Sequence, residues 1–248
     1  MTRLEVTRID HSCVLVDFDG ATVLTDPWFS ERPTYHPGEP IALRPDQLPT
    51  LTAVVISHGH YDHCDLAALA AYPDHRVPIV AKRGLAGRIR AAGFPDVTEL
   101  DPWESCVIDG VTITAAPAKH KVPEITLVLQ ADDRTVYFGA DTQLIPELSD
   151  ITARHPDIDL ALLPINGLRI RPMFNKQVVM DAHEAATLTA TLRPEHAVPT
   201  HYAFTAGPLG DRLLVKHDGR PEAYEAAAAE LAPNTQVHVL APGQPLIL

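Results

Sequence analysis

The chain has 248 residues, of which 46% are hydrophobic, and a formal net charge of −12 at pH 7. This length and composition allow a substantial core, and since no linker or charge block divides the chain, we expect one domain spanning residues 1–248. The negative charge argues against a nucleic-acid partner, because binding to nucleic acid depends on cationic groups that neutralise phosphates.

Two further features bear on the compartment. The amino terminus lacks a basic start followed by an apolar stretch, and no apolar run approaches the length of a membrane span. The three cysteines, Cys13, Cys64 and Cys106, are odd in number and widely separated, which argues against a disulfide framework. A cytoplasmic protein without a membrane span is therefore expected.

The predicted elements begin with a hairpin, Cys13–Phe18 and Ala21–Thr25, joined by the turn dipeptide Asp19-Gly20. The apolar run Ala53–Ile56 then predicts a buried strand, and helical periodicity follows over 66–71. Later strands and helices alternate. The later strands are predicted at 111–116, 135–140, 160–165 and 196–200, and the later helices at 84–92, 182–192 and 221–231.

The segment His58-Gly59-His60-Tyr61-Asp62-His63 places three imidazoles and one carboxylate within six residues, directly after the strand Ala53–Ile56. Such a density of metal-binding groups predicts a metal site, the alternative being a His-rich surface turn. The spacing directs His58 and His60 one way and Asp62 and His63 towards a neighbouring position. Two adjacent cations therefore fit better than one.

One loop cannot close a two-metal site, so further ligands are needed downstream. His120 follows the strand at 111–116, Asp141 follows that at 135–140, and His201 follows that at 196–200. Because open α/β sheets place chemistry at the carboxyl ends of their strands, a sheet could bring all three to one rim.

This pattern, His-x-His-x-Asp-His followed by His, Asp and His, resembles the metallo-β-lactamase superfamily. Residues 9–13, 23–28 and 180–185 look most like the branch of L-ascorbate-6-phosphate lactonase and N-acyl phosphatidylethanolamine phospholipase D. The resemblance implies an α/β fold, a four-layer αββα sandwich, and two divalent metal ions. It implies His58, His60 and His120 at the first metal, Asp62, His63 and His201 at the second, and Asp141 between them.

Three neutral imidazoles leave an open coordination position for water, as catalytic zinc sites require. Zinc is the default for imidazole-rich ligation, with manganese or iron as alternatives. Asp26 and His11, which resemble family positions near the metals, are predicted to orient ligating imidazoles without binding metal themselves.

Four side chains are candidates for binding substrate. Arg169 and Arg171 lie in the loop after the predicted strand at 160–165, and Lys119 adjoins His120. These cations are suited to a phosphate or carboxylate, although solvated loop charges explain the two arginines equally well. Tyr202, next to His201, is a candidate hydrogen-bond donor or a packed aromatic side chain. Tyr35 lies in a proline-rich stretch that could rim the pocket.

The hypothesis is a binuclear metal-dependent hydrolase of the lactonase, esterase or phosphodiesterase type. A metal-bound hydroxide would attack a small, soluble, anionic ester, lactone or phosphodiester, and Asp62 would orient that hydroxide or carry its proton. The alternatives are a non-hydrolytic metalloenzyme, such as an iron-dependent oxidoreductase or lyase, and a non-catalytic metal-binding protein. The expected partner is a small-molecule substrate, and a homo-oligomer is left open.

Overall fold

Two seven-stranded β-sheets form the centre of the molecule in the computed structural model, which describes residues 2–248. In chain order the strands are β1 (Leu4–Asp10), β2 (Cys13–Phe18), β3 (Ala21–Thr25), β4 (Ala53–Ile56), β5 (Ile79–Lys82), β6 (Val97–Leu100), β7 (Ser105–Ile108), β8 (Val111–Ala116), β9 (Thr126–Ala131), β10 (Arg134–Phe138), β11 (Leu160–Pro164), β12 (Arg169–Ile170), β13 (Lys176–Gln177), β14 (His196–Thr200), β15 (Val215–Lys216), β16 (Gln236–Val237) and β17 (Pro245–Ile247). The α-helices are α1 (Leu66–Leu69), α2 (Ala86–Ala91), α3 (Asp150–Arg154), α4 (Ala182–Leu192), α5 (Gly207–Leu213) and α6 (Pro221–Leu231).

The strand order brings several carboxyl ends together. The first sheet runs β17-β1-β2-β3-β4-β5-β6 and the second β16-β14-β11-β10-β9-β8-β7, while β13, β12 and β15 form a small third sheet. β4 is parallel to β3 and β5, and β11 is parallel to β10 and β14. Parallel neighbours end at the same edge of a sheet, so the loops that follow these strands share one rim.

Side chains alternate between two cores along the buried strands. In β4, Ala53 and Val55 pack in the core between the two sheets, whereas Val54 and Ile56 pack in a second core that includes residues of α1 and α2. On the other side of the molecule, α3, α4 and α6 cover the second sheet. The result is the expected four-layer αββα sandwich, because each sheet buries both faces.

The regular elements follow local sequence signals. β2 and β3 pair as the predicted hairpin, and the turn residues Asp19 and Gly20 both have positive φ, 52° and 104°, as a tight two-residue turn requires. α4 and α6 begin and end at the predicted residues. α1 ends at Leu69, two residues earlier than expected; Pro73 follows closely and disfavours helical backbone in the residue before it. Within residues 2–248, no helix has both the length and the apolar character that a bilayer crossing needs.

Candidate metal centre

The residues predicted to bind metal meet at the rim between the two large sheets. His58 follows β4, Asp141 follows β10 and His201 follows β14, while His120 lies in the loop from β8 to β9. His58, Asp141 and His201 are buried, and His120 is partly exposed. Polar side chains of this kind are seldom buried without partners, so their convergence calls for a ligand that pairs with them.

The first group of ligand atoms is made of three histidines. His60 Nδ1 lies 2.9 Å from His58 Nε2 and 3.2 Å from His120 Nε2. A neutral imidazole has only one N–H, so three ring nitrogens pointing at one another cannot all be paired by hydrogen bonds. The donor set instead fits a divalent cation held by three imidazoles, as in catalytic zinc sites.

The second group lies beside the first. Asp141 Oδ1 is 2.7 Å from His201 Nε2 and 3.2 Å from His63 Nε2, and Asp62 Oδ2 is 3.9 Å from His63 Nε2. Within the described residues, His63 Nε2, His201 Nε2 and Asp141 Oδ1 are buried and form no hydrogen bond of good geometry. Because unpaired buried polar atoms are rare, these atoms also fit a bound cation.

Asp141 connects the two groups. Its Oδ2 lies 3.9 Å from His58 Nε2 and 3.8 Å from His120 Nε2, whereas its Oδ1 faces the second group. The backbone N–H of Asp141 donates to Glu124 Oε1 at 2.6 Å, which helps to fix the loop. The two carboxylate oxygens of Asp141 therefore face the two groups of candidate ligand atoms. Sequence reasoning missed Glu124, because a lone glutamate in a loop carries no pattern that distinguishes it.

His11 contacts residues of the second group. It occupies the turn between β1 and β2, its Nε2 is 3.6 Å from Asp62 Oδ2, and its ring centroid is 3.8 Å from that of His201. The side chain is fully buried, and both ring nitrogens lack a hydrogen-bond partner within residues 2–248. His11 can therefore supply a ligand atom alongside Asp62, His63 and His201, whereas the sequence predicts a supporting role.

Hydrogen bonds outside the two groups orient the ligating rings. His63 Nδ1 lies 2.7 Å from Asp26 Oδ2, and Asp26 also accepts hydrogen bonds from the N–H and hydroxyl of Ser57. His120 Nδ1 donates to the carbonyl of Val178 at 2.8 Å. Pairing Nδ1 in this way leaves the Nε2 lone pair facing inward, where a metal would bind. Asp26 thus lies where its predicted role requires.

The histidines of the two groups differ in their pKa values. Burial lowers the pKa of His58 well below its ordinary value and lowers the pKa of His60 to about 4. Burial would also lower the pKa of His63, but the carboxylates of Asp141 and Asp62 raise it well above the ordinary value. At neutral pH the first group therefore offers free imidazole bases, and His63 carries a proton until a cation replaces it.

The two acids remain ionised despite their burial. Burial alone would raise the pKa of Asp62, but His63 and His11 together lower it to about 2. Burial would likewise raise the pKa of Asp141, yet the electrostatic attraction of His201 and His63 holds it well below its usual range. Both carboxylates are therefore available as anionic ligands at neutral pH.

A cavity of about 260 Å³ opens onto both groups. His60, Asp62, His120 and Asp141 form its floor. The remaining lining residues are Thr34, Tyr35, Lys121, Leu168, Ile170, Pro172, Val178, Phe204, Ala206, Leu214 and Val215. Tyr35 thus lines the pocket as the proline-rich stretch predicted, whereas Lys121 and most of the apolar residues were not anticipated.

The four predicted substrate-binding residues do not line this cavity. The guanidinium of Arg171 donates to the backbone carbonyl of Val215 at 2.8 Å, and the ring of Tyr202 packs against the guanidinium of Arg8, 4.9 Å from ring centroid to Cζ. Arg169 lies in β12 and Lys119 is exposed.

Comparisons with known proteins place the chain in a family. A model of the beta-lactamase superfamily domain matches residues 21–202. An uncharacterized protein from Mycobacterium tuberculosis is 32% identical, over 98% of this chain and 68% of its own length. A UPF0173 metal-dependent hydrolase from Pyrobaculum neutrophilum is 29% identical, over 99% of this chain and 100% of its own.

The fold comparison agrees with the sequence comparison. The structure of a metallo hydrolase from the archaeon Ignicoccus hospitalis superposes with a TM-score of 0.74 at 23% identity, covering 100% of this chain and 99% of the other. At this identity the likeness shows a shared fold. The match of the family model over residues 21–202 shows that the chain belongs to the beta-lactamase superfamily.

Proposed function

We propose that the protein is a hydrolase that works with two divalent metal ions. The observation that carries the proposal is the position of Asp141, whose two carboxylate oxygens face two separate groups of buried ligand atoms beside one cavity. The name of the Pyrobaculum neutrophilum relative, a metal-dependent hydrolase, supports the same reaction class. Zinc suits the imidazole-rich first group, and manganese or iron suits the carboxylates of the second.

Each candidate ligand has a proposed role at one or both ions. His58, His60 and His120 would hold the first ion, Asp62, His63 and His201 the second, and Asp141 both. Bound divalent ions would lower the pKa of a coordinated water from about 16 to about 7 and would stabilise developing negative charge on the substrate. Asp62, ionised at the cavity floor, would orient the attacking water and accept its proton.

The reaction class is hydrolysis of an ester, lactone or phosphodiester. The water oxygen forms a bond to the carbonyl carbon or phosphorus, and the bond to the leaving oxygen breaks. The leaving oxygen takes up the proton that Asp62 accepted from the water. Among the described residues, the cavity lining contains one cation, Lys121. Lys121 is therefore a better candidate than Arg169 or Arg171 for contact with an anionic group.

A metal-reconstitution assay tests this function. The protein is stripped with a chelator, reloaded separately with zinc, manganese or ferrous iron, and assayed on panels of esters, lactones and phosphodiesters. We expect hydrolysis of at least one class by a reloaded protein and none by the stripped control. Turnover that is equal before and after metal removal would contradict the proposal, as would a fully loaded protein that cleaves none of the three classes.

A further inference from the structure

The cavity has a polar floor and a largely apolar wall. The floor is formed by candidate metal ligands, His60, Asp62, His120 and Asp141. The residues of the wall lie in or next to the small third sheet and in the loop that follows β14. Its main apolar members are Leu168, Ile170, Val178, Phe204, Leu214 and Val215.

Backbone hydrogen bonds hold this wall in place. Ile170 and Val215 are directly opposite each other on β12 and β15. Beside Phe204, the backbone of Thr205 exchanges two hydrogen bonds of 3.0 Å with that of His36. The apolar surface is therefore formed before substrate arrives, which reduces the entropy lost on binding.

The charges nearby favour an uncharged group against the wall. Lys121 lines the cavity but is exposed, and Arg171, whose Nε donates to the backbone carbonyls of Asp211 and Val215, is not among the lining residues. A phosphate or polyhydroxylated group placed on this wall would lose hydrogen bonds to water without replacement, which is unfavourable. A hydrocarbon group would gain free energy from the same burial.

We propose that the substrate places an uncharged apolar acyl or aryl group against this wall, with the scissile bond at the polar floor. The cavity of about 260 Å³ suits a small ligand, since pockets for drug-sized ligands run from about 300 Å³ upward. The inference rests on the proposed function only for the position of the scissile bond. It selects small carbon-rich esters or lactones over sugar phosphates.

Binding of straight-chain carboxylates tests the inference. Acetate, butyrate, hexanoate and octanoate are titrated into the metal-loaded protein, and Kd is measured by calorimetry. We expect Kd to fall by about fourfold for each added methylene until the cavity is filled. A Kd that is the same across the series overturns the proposal.

A cavity-filling variant locates the site. Ile170→Trp should weaken hexanoate binding by about tenfold or more while leaving acetate binding nearly unchanged, because acetate does not reach the wall. The control is Val107→Trp on β7, where the native side chain is 67% exposed and outside the cavity lining. Hexanoate binding that Ile170→Trp leaves unchanged overturns the proposal.

Failure of this inference and failure of the proposed function give different experimental results. Should Ile170→Trp fail to fold, as judged by its thermal melt, the chain-length series on the unaltered protein decides the matter by itself. Binding is measured without turnover, so chain-length dependence in a protein that hydrolyses no panel substrate counts against the proposed function alone. Hydrolysis that is indifferent to acyl length, together with a constant Kd, counts against the inference alone.

Discussion

At the scale of single residues, Asp62 has two proposed roles, in metal binding and in proton transfer. It is buried, ionised and part of the cavity floor. Asp62→Asn keeps the shape and one oxygen but removes the negative charge, so we expect turnover to fall by at least about a hundredfold. The first metal should remain, because His58, His60 and His120 are unchanged.

Metal content and steady-state turnover are measured on the same preparation. Asp46→Asn, which alters an exposed carboxylate, is the matched control and should change neither. If Asp62→Asn keeps both metals and near-normal turnover, Asp62 is neither a ligand nor a proton carrier.

His11 provides a second test. His11→Phe preserves a ring beside Trp28, whose centroid is 5.1 Å away, but removes both nitrogens. We expect affinity for the second metal to fall by roughly tenfold to a hundredfold, the size of effect seen for groups in or around a metal's ligand set. The measurement is a competition titration with a chromophoric chelator. His75→Phe, at an exposed histidine that packs on Phe94, is the control, and equal affinities in both variants would exclude His11 from the site.

The opposite pKa shifts predict a proton count. The pKa of His63 is raised well above its ordinary value, so this ring is protonated at pH 7 in the metal-free protein, whereas the lowered pKa values of His58 and His60 leave those rings neutral. At pH 6, below the pKa of about 7 expected of a metal-bound water, filling the second group should therefore release about one proton, and filling the first group none, because a metal binds only the free base. Calorimetric metal titrations in two buffers of different ionisation enthalpy give this count, and zero net release would contradict it.

Sequence patterns predicted the candidate site residues but not their backbone conformation. His11, Asp26 and His201 all have positive φ, of 31°, 33° and 55°. Non-glycine residues seldom adopt this conformation, and such strain clusters at functional sites. Nothing in the residue types alone indicates it, because the surrounding packing imposes the conformation.

At the scale of elements, the apolar pattern predicted those helices and strands that are long enough to show one. α4 and α6 begin and end at the predicted residues, since each carries apolar positions at helical spacing, and β14 matches its prediction as a short buried run. The third sheet was not predicted, because β12, β13 and β15 have two residues each, too few for any period. That sheet forms part of the cavity wall, so the apolar contacts were missed together with it.

The start of α4 gives a prediction about stability. The Asp181 carboxylate accepts hydrogen bonds from the backbone N–H groups of His183 and Glu184, and the Glu184 side chain accepts from the backbone of Asp181. Asp181→Ala removes this cap and should cost about 1 kcal/mol of unfolding free energy, lowering Tm by about 2–4 °C. Denaturant titration and melting measure the change. His183→Ala on the same helix is the control, and an unchanged Tm in Asp181→Ala would show that the cap contributes nothing.

At the scale of the whole molecule, the order of ligands along the chain predicted their convergence. His58 to His63 are local in sequence, and His120, Asp141 and His201 each follow a strand of one sheet, so the fold alone brings them to one rim. The cavity wall has no such linear signature. Leu168, Phe204 and Val215 come from separate parts of the chain, and only the folded structure shows that they line one cavity with the candidate metal ligands.

In the proposed function, one chain holds two metal ions that share Asp141. The most direct measurement is the metal-to-protein ratio, determined by mass spectrometry after loading with zinc and removal of unbound metal. The two ligand groups predict about two ions per chain. A ratio near one would contradict the shared site, and a ratio near zero would contradict metal-dependent hydrolysis altogether.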